Sequence, residues 1–194
     1  MSSISKYNDL QLVEMIKPIY LNNPFYGPTL LPHVALTALF ASSAATELGG
    51  SGPIANLAGW LHDIGAAVKG PEDHHKTGAE ISGKMMKDMG FETETIILVQ
   101  NCLLSHRGSV ESERTTIEAQ CVASADGLVH FCRIADLFYI ALVRLKLNSN
   151  EAGEWVGNKL ERSWQKMIPQ HKKLVKSIGR EKMRGNLDLC VSSW

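Results

Sequence analysis

The stretch Ala58-Gly-Trp-Leu-His-Asp-Ile-Gly65 sets a histidine and an aspartate inside an otherwise apolar run. Burying an imidazole and an ionised carboxylate costs free energy unless another charge compensates them. A bound metal ion would compensate both His62 and Asp63 at once. The stretch therefore predicts a buried metal site with the rest of the fold arranged around it.

Four further nitrogen and oxygen donors lie in or beside apolar segments with helical spacing: His33, His74, His106 and Asp126. His106 and Asp126 fall on the apolar faces of their predicted helices and should point inward. His74 falls at the exposed start of a helix. Six donors could thus meet at one interior point. Imidazole nitrogens and carboxylate oxygens suit zinc, manganese, iron, nickel or cobalt better than calcium.

The number of metal ions stays open at the level of the sequence. A first site would be filled by His33, His62, Asp63 and Asp126. Three separate helical segments supply these residues, which fits an open coordination position better than a closed structural site. Asp63 has two carboxylate oxygens and could also bridge to a second metal held by His74 and His106.

The composition is that of an ordinary globular chain of 194 residues, 44% hydrophobic with a formal net charge of zero, and predicts a single domain. The net charge therefore does not indicate a particular class of binding partner. The four cysteines show no Cys-x-x-Cys spacing, which favours reduced thiols in a cytoplasmic protein. No signal pattern opens the chain, and the apolar stretch from Leu30 to Ala45 is expected to be too short for a membrane span.

Apolar residues recur at three and four positions through most of the chain, whereas period-two alternation is hard to find. This periodicity predicts an all-α fold. A first helix should run to about Tyr20, and His33 should open the next one. Further on, we expect one continuous helix from Val129 to Leu147 and another from about Glu151 to Ile178.

The ordered motifs resemble those of the HD-domain metal-dependent phosphohydrolases: His33, His62-Asp-Ile-Gly65, His74-His-Lys-Thr-Gly-Ala-Glu80, Ser105-His-Arg107 and Ser124-Ala-Asp126. The resemblance covers about residues 31–142. It implies one helical HD-type domain over residues 1–194, a bundle with a central metal site. Its core would span about 31–142, and a C-terminal helical extension would span about 151–184.

The resemblance implies specific roles for the six donors. The first-metal ligands would be His33, His62, Asp63 and Asp126. The pair His74 and His106 would bind a second metal or the substrate phosphate. Catalysis would involve Asp63, His74 and His106. The cofactor would be one or two divalent ions of manganese, iron, nickel, cobalt or zinc.

The implied activity is hydrolysis of a phosphoester or phosphoanhydride in a small phosphorylated compound by metal-activated hydroxide. The stretch from His106 to Asp126 is similar to family members that cleave nucleotides, so a nucleotide is the expected substrate. Three alternatives stay open: a di-iron oxygenase of the HD type, an RNA or cyclic-nucleotide phosphodiesterase, and a nucleotide sensor without catalysis. Nucleic acid is not the favoured partner, no membrane is expected, and a homodimer remains open.

One departure concerns the phosphate. Many relatives place a lysine directly after His-Asp-Ile-Gly, whereas this chain has Ala66. The phosphate then lacks its usual cationic partner unless Lys69 or Arg107 replaces it, Arg107 through its fork of donors.

The remaining histidines and the basic C-terminal segment carry weaker expectations. His75 and His171 are expected at the surface. His130 lies four residues after Asp126 and could orient that carboxylate. The basic segment from Lys159 to Arg184 is expected to be a solvated helix face, with attraction of RNA or a nucleotide as the minority interpretation.

Overall fold

The computed structural model describes residues 6–108 and 113–177, and within these ranges all regular structure is helical. The helices are α1 (Lys6–Leu21), α2 (Leu30–Glu47), α3 (Gly52–Leu61), α4 (Ile64–Lys69), α5 (His74–Asp88), α6 (Thr93–Ser105), α7 (Ile117–Cys132), α8 (Ile134–Tyr139) and α9 (Ser149–Gln165). A 3-10 turn at Gly27–Thr29 precedes α2, a π-helical stretch at Ile140–Arg144 follows α8, and residues 169–177 are again helical. The predicted all-α fold is confirmed.

Helix α2 lies at the centre of the bundle and packs mainly against α3 and α7. Four of its seven buried residues are alanines, among them Ala38, Ala41 and Ala45. Small residues let neighbouring backbones approach, and a Cβ added at Gly59 of α3 would lie 2.4 Å from the Cα of Ala38. This close crossing brings the C-terminal end of α3, with His62, towards α2.

A second close contact joins α4 to α5. A Cβ at Gly65 would lie 2.2 Å from the carbonyl oxygen of His74 and 2.6 Å from the backbone nitrogen of Gly78. No side chain fits there, so glycine is required for this approach. The contact places Asp63 beside the first turn of α5.

The stretch Gly27–Glu47 is 21 residues long and is long and apolar enough, by length and composition alone, to cross a membrane. The expectation of too short a span considered residues 30–45 alone, and the helical stretch that contains them is longer. Half of its apolar window is buried inside the fold. Core helices of globular proteins pass the same test, and this helix carries His33 into the centre of the bundle.

Three predicted helix bounds are wrong. His33 does not open α2, because the helix begins at Leu30 and accommodates Pro32 in its first turn, where no intrahelical donor is needed. The helix expected from Val129 to Leu147 is interrupted at Arg133, whose φ of −122° and ψ of 43° lie outside the helical region. The helix expected from about Glu151 to Ile178 pauses after Gln165, before Pro169.

Helix α9 begins at a capping box. The side-chain oxygen of Asn148 accepts hydrogen bonds from the backbone N–H groups of Asn150 and Glu151, and the Glu151 carboxylate accepts from the backbone N–H of Asn148. This reciprocal arrangement fixes the start of the helix. The segment expected to form a C-terminal extension is therefore helical from Ser149 to Gln165, and its residues 178–184 lie outside the described ranges.

Helix α9 lies directly on the backbone of α7 at Gly127. A Cβ at this position would lie 2.7 Å from the carbonyl oxygen of Ser163. Because this neighbour is backbone, a side chain at position 127 would have to displace the helix. The contact sets Lys166, three residues after Ser163, beside Asp126 on α7.

Candidate metal centre

Six different positions in the bundle supply the predicted donors. They are His33 in the second turn of α2, His62 at the end of α3, Asp63 between α3 and α4, His74 at the start of α5, His106 directly after α6 and Asp126 on α7. His62 is fully buried, and none of the other five is an exposed residue. The structure thus brings together all six side chains that the sequence singled out.

The carboxylate of Asp63 lies between two pairs of histidines. Its Oδ2 atom is 3.6 Å from His33 Nε2 and 3.4 Å from His62 Nε2. Its Oδ1 atom is 3.4 Å from His74 Nε2 and 3.9 Å from His106 Nε2. Within each pair the two Nε2 atoms are close, at 3.2 Å for the first pair and 3.1 Å for the second. One carboxylate is therefore shared by two adjacent donor groups.

Asp126 extends the first of these groups. Its Oδ1 atom lies 3.2 Å from His33 Nε2, 4.0 Å from His62 Nε2 and 3.4 Å from His130 Nε2. His33, Asp126 and His130 offer ligand atoms that lie within 4.8 Å of one another. His130 therefore lies close enough to act as a donor itself, in addition to the orienting role considered from its spacing.

The histidine rings are held in the orientation that a metal ligand needs. Three Nδ1 atoms each lie close to the carbonyl oxygen three residues earlier: at 2.7 Å for His62 with Gly59, 2.8 Å for His74 with Pro71 and 2.6 Å for His106 with Leu103. A carbonyl can only accept, so Nδ1 must be the protonated nitrogen. In the neutral ring, Nε2 then directs its lone pair into the cluster. This donor chemistry fits a bound divalent transition-metal ion.

The electrostatics of the cluster keep its carboxylates ionised. Burial alone would raise the pKa of Asp63, but the neighbouring His62, His74 and His33 hold it well below its usual range. Burial would likewise raise the pKa of Asp126, and Lys166 is the strongest of the opposing groups that lower it well below that range.

The two groups of histidines differ in their own titration. Burial, together with the neighbouring His62 and His74, lowers the pKa of His106 well below its usual value. Burial also opposes protonation of His62, but the charges of Asp63 and Asp126 outweigh it and raise the pKa of His62. The two carboxylates thus attract positive charge to this point, either as a proton on His62 or as a bound metal ion.

The structure adds Lys166, a residue that the sequence placed on a solvated face. Its side chain is only 7% exposed, and its ammonium group donates a hydrogen bond to Asp126 Oδ2. It also donates to the carbonyl oxygen of His106 at 3.1 Å. Lys166 thus contacts both donor groups. Nothing in its sequence context separates it from the solvated lysines nearby, because it follows an amphipathic helix rather than an apolar run.

Two histidines expected at the surface are buried, so both predictions are wrong. His75 lies on the side of α5 that faces Arg107, and its Nδ1 atom is 3.3 Å from Nη1 of that arginine. His171 lies under the end of α9, with Nδ1 2.7 Å from the hydroxyl of Ser124. Each ring is buried beside a polar partner that satisfies one nitrogen.

The two cations considered for the phosphate differ in position. Arg107 lines the cavity above the cluster. Lys69 lies at the end of α4, is exposed and is not part of the cavity lining. The structure therefore brings Arg107, but not Lys69, towards the candidate site.

The cluster forms the floor of a cavity of about 250 Å³. Five cationic side chains contribute to its lining: Arg107, Arg133, Lys159, Arg162 and Lys166. Apolar and aromatic side chains contribute as well: Tyr26, Leu30, Leu137, Ile140 and Trp155. A ligand in this cavity would therefore meet a metal-binding floor, positive charge and apolar surface.

Comparison with known families identifies the family to which this arrangement of residues belongs. A family model described as the HD domain matches residues 30–129, which is just over half of the chain. This chain belongs to the HD-domain family. The resemblance inferred from the motifs is thereby confirmed. HD-domain membership also supports metal-dependent phosphohydrolase chemistry as the general class.

Curated relatives match over about half of the chain. Ribonuclease Y of Thermotoga maritima is 43% identical over 105 residues, which are 53% of this chain and 19% of that protein. Ribonuclease Y of Bacillus subtilis is 34% identical over 103 residues, 53% of this chain and 18% of that protein. The chain thus spans about a fifth of the length of these curated relatives.

A solved structure shares the fold over most of its length. It is that of a predicted HD superfamily hydrolase from an uncultured Thermotogales bacterium, and it matches with a TM-score of 0.56 at 18% identity. The match covers 90% of this chain and 91% of that one. The shared fold therefore extends beyond the family match, which ends at residue 129.

Proposed function

We propose that this HD-domain protein is a divalent-metal-dependent phosphohydrolase acting on a small phosphorylated compound, specifically a nucleotide. The observation that carries the proposal is Asp63, whose two carboxylate oxygens face two separate histidine pairs beneath a cationic cavity. A carboxylate shared in this way suits two neighbouring metal ions, and a single ion would use one of the two groups.

The residues fit manganese, iron, nickel, cobalt or zinc, because nitrogen and carboxylate oxygen are the ligands these ions accept. A metal ion bound here would polarise a phosphoryl oxygen and lower the pKa of water to about 7, which supplies a nucleophile at neutral pH. The ligands would be His33, His62, Asp63 and Asp126, with His74 and His106 completing a second site or contacting the phosphate.

The protein's own cations would hold the phosphate. The ammonium group of Lys166 has three donors and uses two of them on Asp126 and on the carbonyl of His106. Lys166 also lines the cavity, so its third donor is available to a ligand oxygen. Arg107 lines the same cavity and is oriented by His75. These two residues would take the place of the lysine that is absent at Ala66.

The size and lining of the cavity support a nucleotide. Its volume of about 250 Å³ is close to the lower end of the roughly 300–1,000 Å³ range of small-molecule sites, and a nucleic-acid duplex could not enter it. Trp155 and Tyr26 offer aromatic surface for a base, while the cations match a phosphate.

The decisive experiment is metal removal and replacement. Protein stripped with chelator should not release phosphate from a panel of nucleotides, and activity should return with manganese, nickel or cobalt. An Asp63→Ala variant, purified with unchanged helical circular dichroism, should stay inactive with every metal. Absence of hydrolysis with any metal would overturn the proposal. Iron in the purified protein together with oxygen consumption would favour the di-iron oxygenase instead.

RNA is the second candidate substrate, because relatives at 34–43% identity bear the name Ribonuclease Y. An RNA phosphodiesterase would bind single-stranded RNA with an affinity that falls steeply as salt increases. A mononucleotide enzyme should show a much smaller dependence on salt. Cleavage of a labelled oligonucleotide, measured beside the nucleotide panel, separates these two candidates.

A further inference from the structure

Helix α9 and Lys166, the residue directly after it, supply one wall of the cavity. Trp155, Lys159, Arg162, Ser163 and Lys166 all line it, and their spacing of three and four residues places them on one helix face. A rise of 1.5 Å per residue sets Arg162, Lys159 and Trp155 about 6, 10 and 16 Å along the axis from Lys166. The wall therefore runs outward from the metal centre through two cations to an aromatic ring.

The cations of the lining differ in how their charge is balanced. Arg133 pairs with Asp136 at 2.5 Å, and Lys166 pairs with Asp126. Among residues 6–108 and 113–177, no carboxylate lies within 4.0 Å of Lys159 or Arg162. Both side chains are half-buried.

Half-buried cations with no carboxylate partner in the described part of the chain have lost part of their hydration and gained no opposite charge there in return. An anionic ligand would supply that charge. In the proposed function Arg107 and Lys166 hold the phosphate at the metal centre, so Lys159 and Arg162 remain for another anionic group. A ligand with a single phosphate would leave both of them uncompensated.

We propose that Lys159 and Arg162 form a second anion subsite and that the substrate is a nucleotide carrying a second phosphate group. This inference rests on the proposed function, because the first phosphate is the one cleaved at the metal centre. The second phosphate contacts the Arg162 fork and the Lys159 ammonium group. The base then lies against Trp155 at the outer end of the wall.

Hydrolysis of such a molecule balances without a further reactant. One P–O ester bond breaks, the hydroxyl of water joins the phosphorus, and the remaining proton of water goes to the leaving oxygen. The products are inorganic phosphate and a nucleotide that keeps its second phosphate. A nucleoside bisphosphate and the end of a short oligonucleotide share this chemistry.

Calorimetric titration of chelator-treated protein tests the subsite independently of hydrolysis. Adenosine 3′,5′-bisphosphate should bind about tenfold more tightly than adenosine 5′-monophosphate, as expected for an added charge-assisted contact. In the Lys159→Gln/Arg162→Gln variant the two ligands should bind within about twofold of each other. A wild-type protein that binds both ligands equally overturns the proposal, whether or not the variant folds.

The matched control removes the same charge elsewhere. Lys173 and Lys176 are exposed and lie outside the cavity lining, so the Lys173→Gln/Lys176→Gln variant should keep the preference for the bisphosphate. An equal loss in this control would mean general attraction by the basic segment and would overturn the subsite. The Lys159→Arg/Arg162→Lys variant keeps both charges and should retain the preference.

Two further outcomes separate this proposal from the proposed function. If no metal restores hydrolysis but the bisphosphate preference depends on Lys159 and Arg162, the function is wrong and the subsite stands. If a monophosphate and the bisphosphate are hydrolysed with equal kcat/KM in wild type and variant, the subsite is wrong and the function stands. A 5′-phosphorylated dinucleotide that outcompetes the bisphosphate would identify an oligonucleotide end as the source of the second phosphate.

Discussion

The metal-binding floor of the cavity and its α9 wall differ in how well the sequence predicts them. The floor is built from charged and polar residues set in apolar segments, and all six of its predicted donors meet there. The wall is built from residues of an amphipathic helix, whose basic residues were expected to be solvated, with attraction of RNA or a nucleotide only as the minority interpretation. A buried charge must be compensated and therefore stands out in the sequence, whereas a cation on a helix surface has solvent as its ordinary partner.

The largest effect is expected from breaking the floor at Asp63. Asp63→Ala removes the only carboxylate shared by the two histidine pairs described here, so we expect metal affinity to fall by more than about a hundredfold, beyond the usual cost of losing a ligand's hydrogen-bond partner. Calorimetric titration with manganese measures this. The matched control is Asp88→Ala, which removes an exposed carboxylate at the end of α5. Normal metal binding by Asp63→Ala would rule out the proposed centre.

The next largest effect is expected at the ion pair between Lys166 of the wall and Asp126 of the floor. Lys166→Met leaves the buried Asp126 carboxylate without its cation, so the free energy of unfolding without metal should fall by about 3 kcal/mol. A bound metal ion would compensate Asp126, so the loss should be smaller in metal-loaded protein. Urea unfolding with chelator and with manganese measures both values.

The exposed Lys173→Met serves as the control for Lys166→Met and should change stability little in either condition. An equal loss with and without metal for Lys166→Met would mean that the lysine only packs the helix and does not balance the charge of the metal centre.

The comparison also shows what a sequence can reveal about a fold of this kind. The all-α class and the donor set followed from periodicity and from the cost of buried charge. The helix interruption at Arg133 could not be predicted, because neither Arg133 nor its partner Asp136 is a residue type that usually ends a helix, as glycine or proline is. His75 and His171 looked like surface residues, and their burial depends on partners 32 and 47 residues away in the chain.

A smaller effect is expected from a change next to Arg107, one of the cations that line the cavity. His75→Leu removes the partner that faces Arg107, so KM for a nucleotide should rise about threefold to tenfold while kcat changes by less than about twofold. Steady-state kinetics at fixed metal concentration measures both. His75→Asn offers a carbonyl acceptor and should restore much of the affinity. A fall in kcat with unchanged KM would show that His75 acts on the metal centre instead.

The smallest effect concerns His171, which joins the C-terminal helical segment to Ser124 of α7. Burial lowers the pKa of His171, so the unfolded chain takes up the proton more readily than the folded protein. The stabilising contribution is present above the unfolded pKa of about 6.5 and is lost as pH falls below it. The unfolding free energy of wild type should therefore decrease more between pH values of about 7.5 and 5.5 than that of His171→Gln. Equal slopes would contradict this.

Gly127 gives the cavity an adjustable width. Helix α9 lies on the backbone at this position, with 2.7 Å between the place of a Cβ and the carbonyl of Ser163. A single methyl group there would displace α9 relative to α7, and with it Lys166, which pairs with Asp126. The width of the cavity and the charge balance of Asp126 are therefore coupled through this one glycine, so a change of residue here would alter both together.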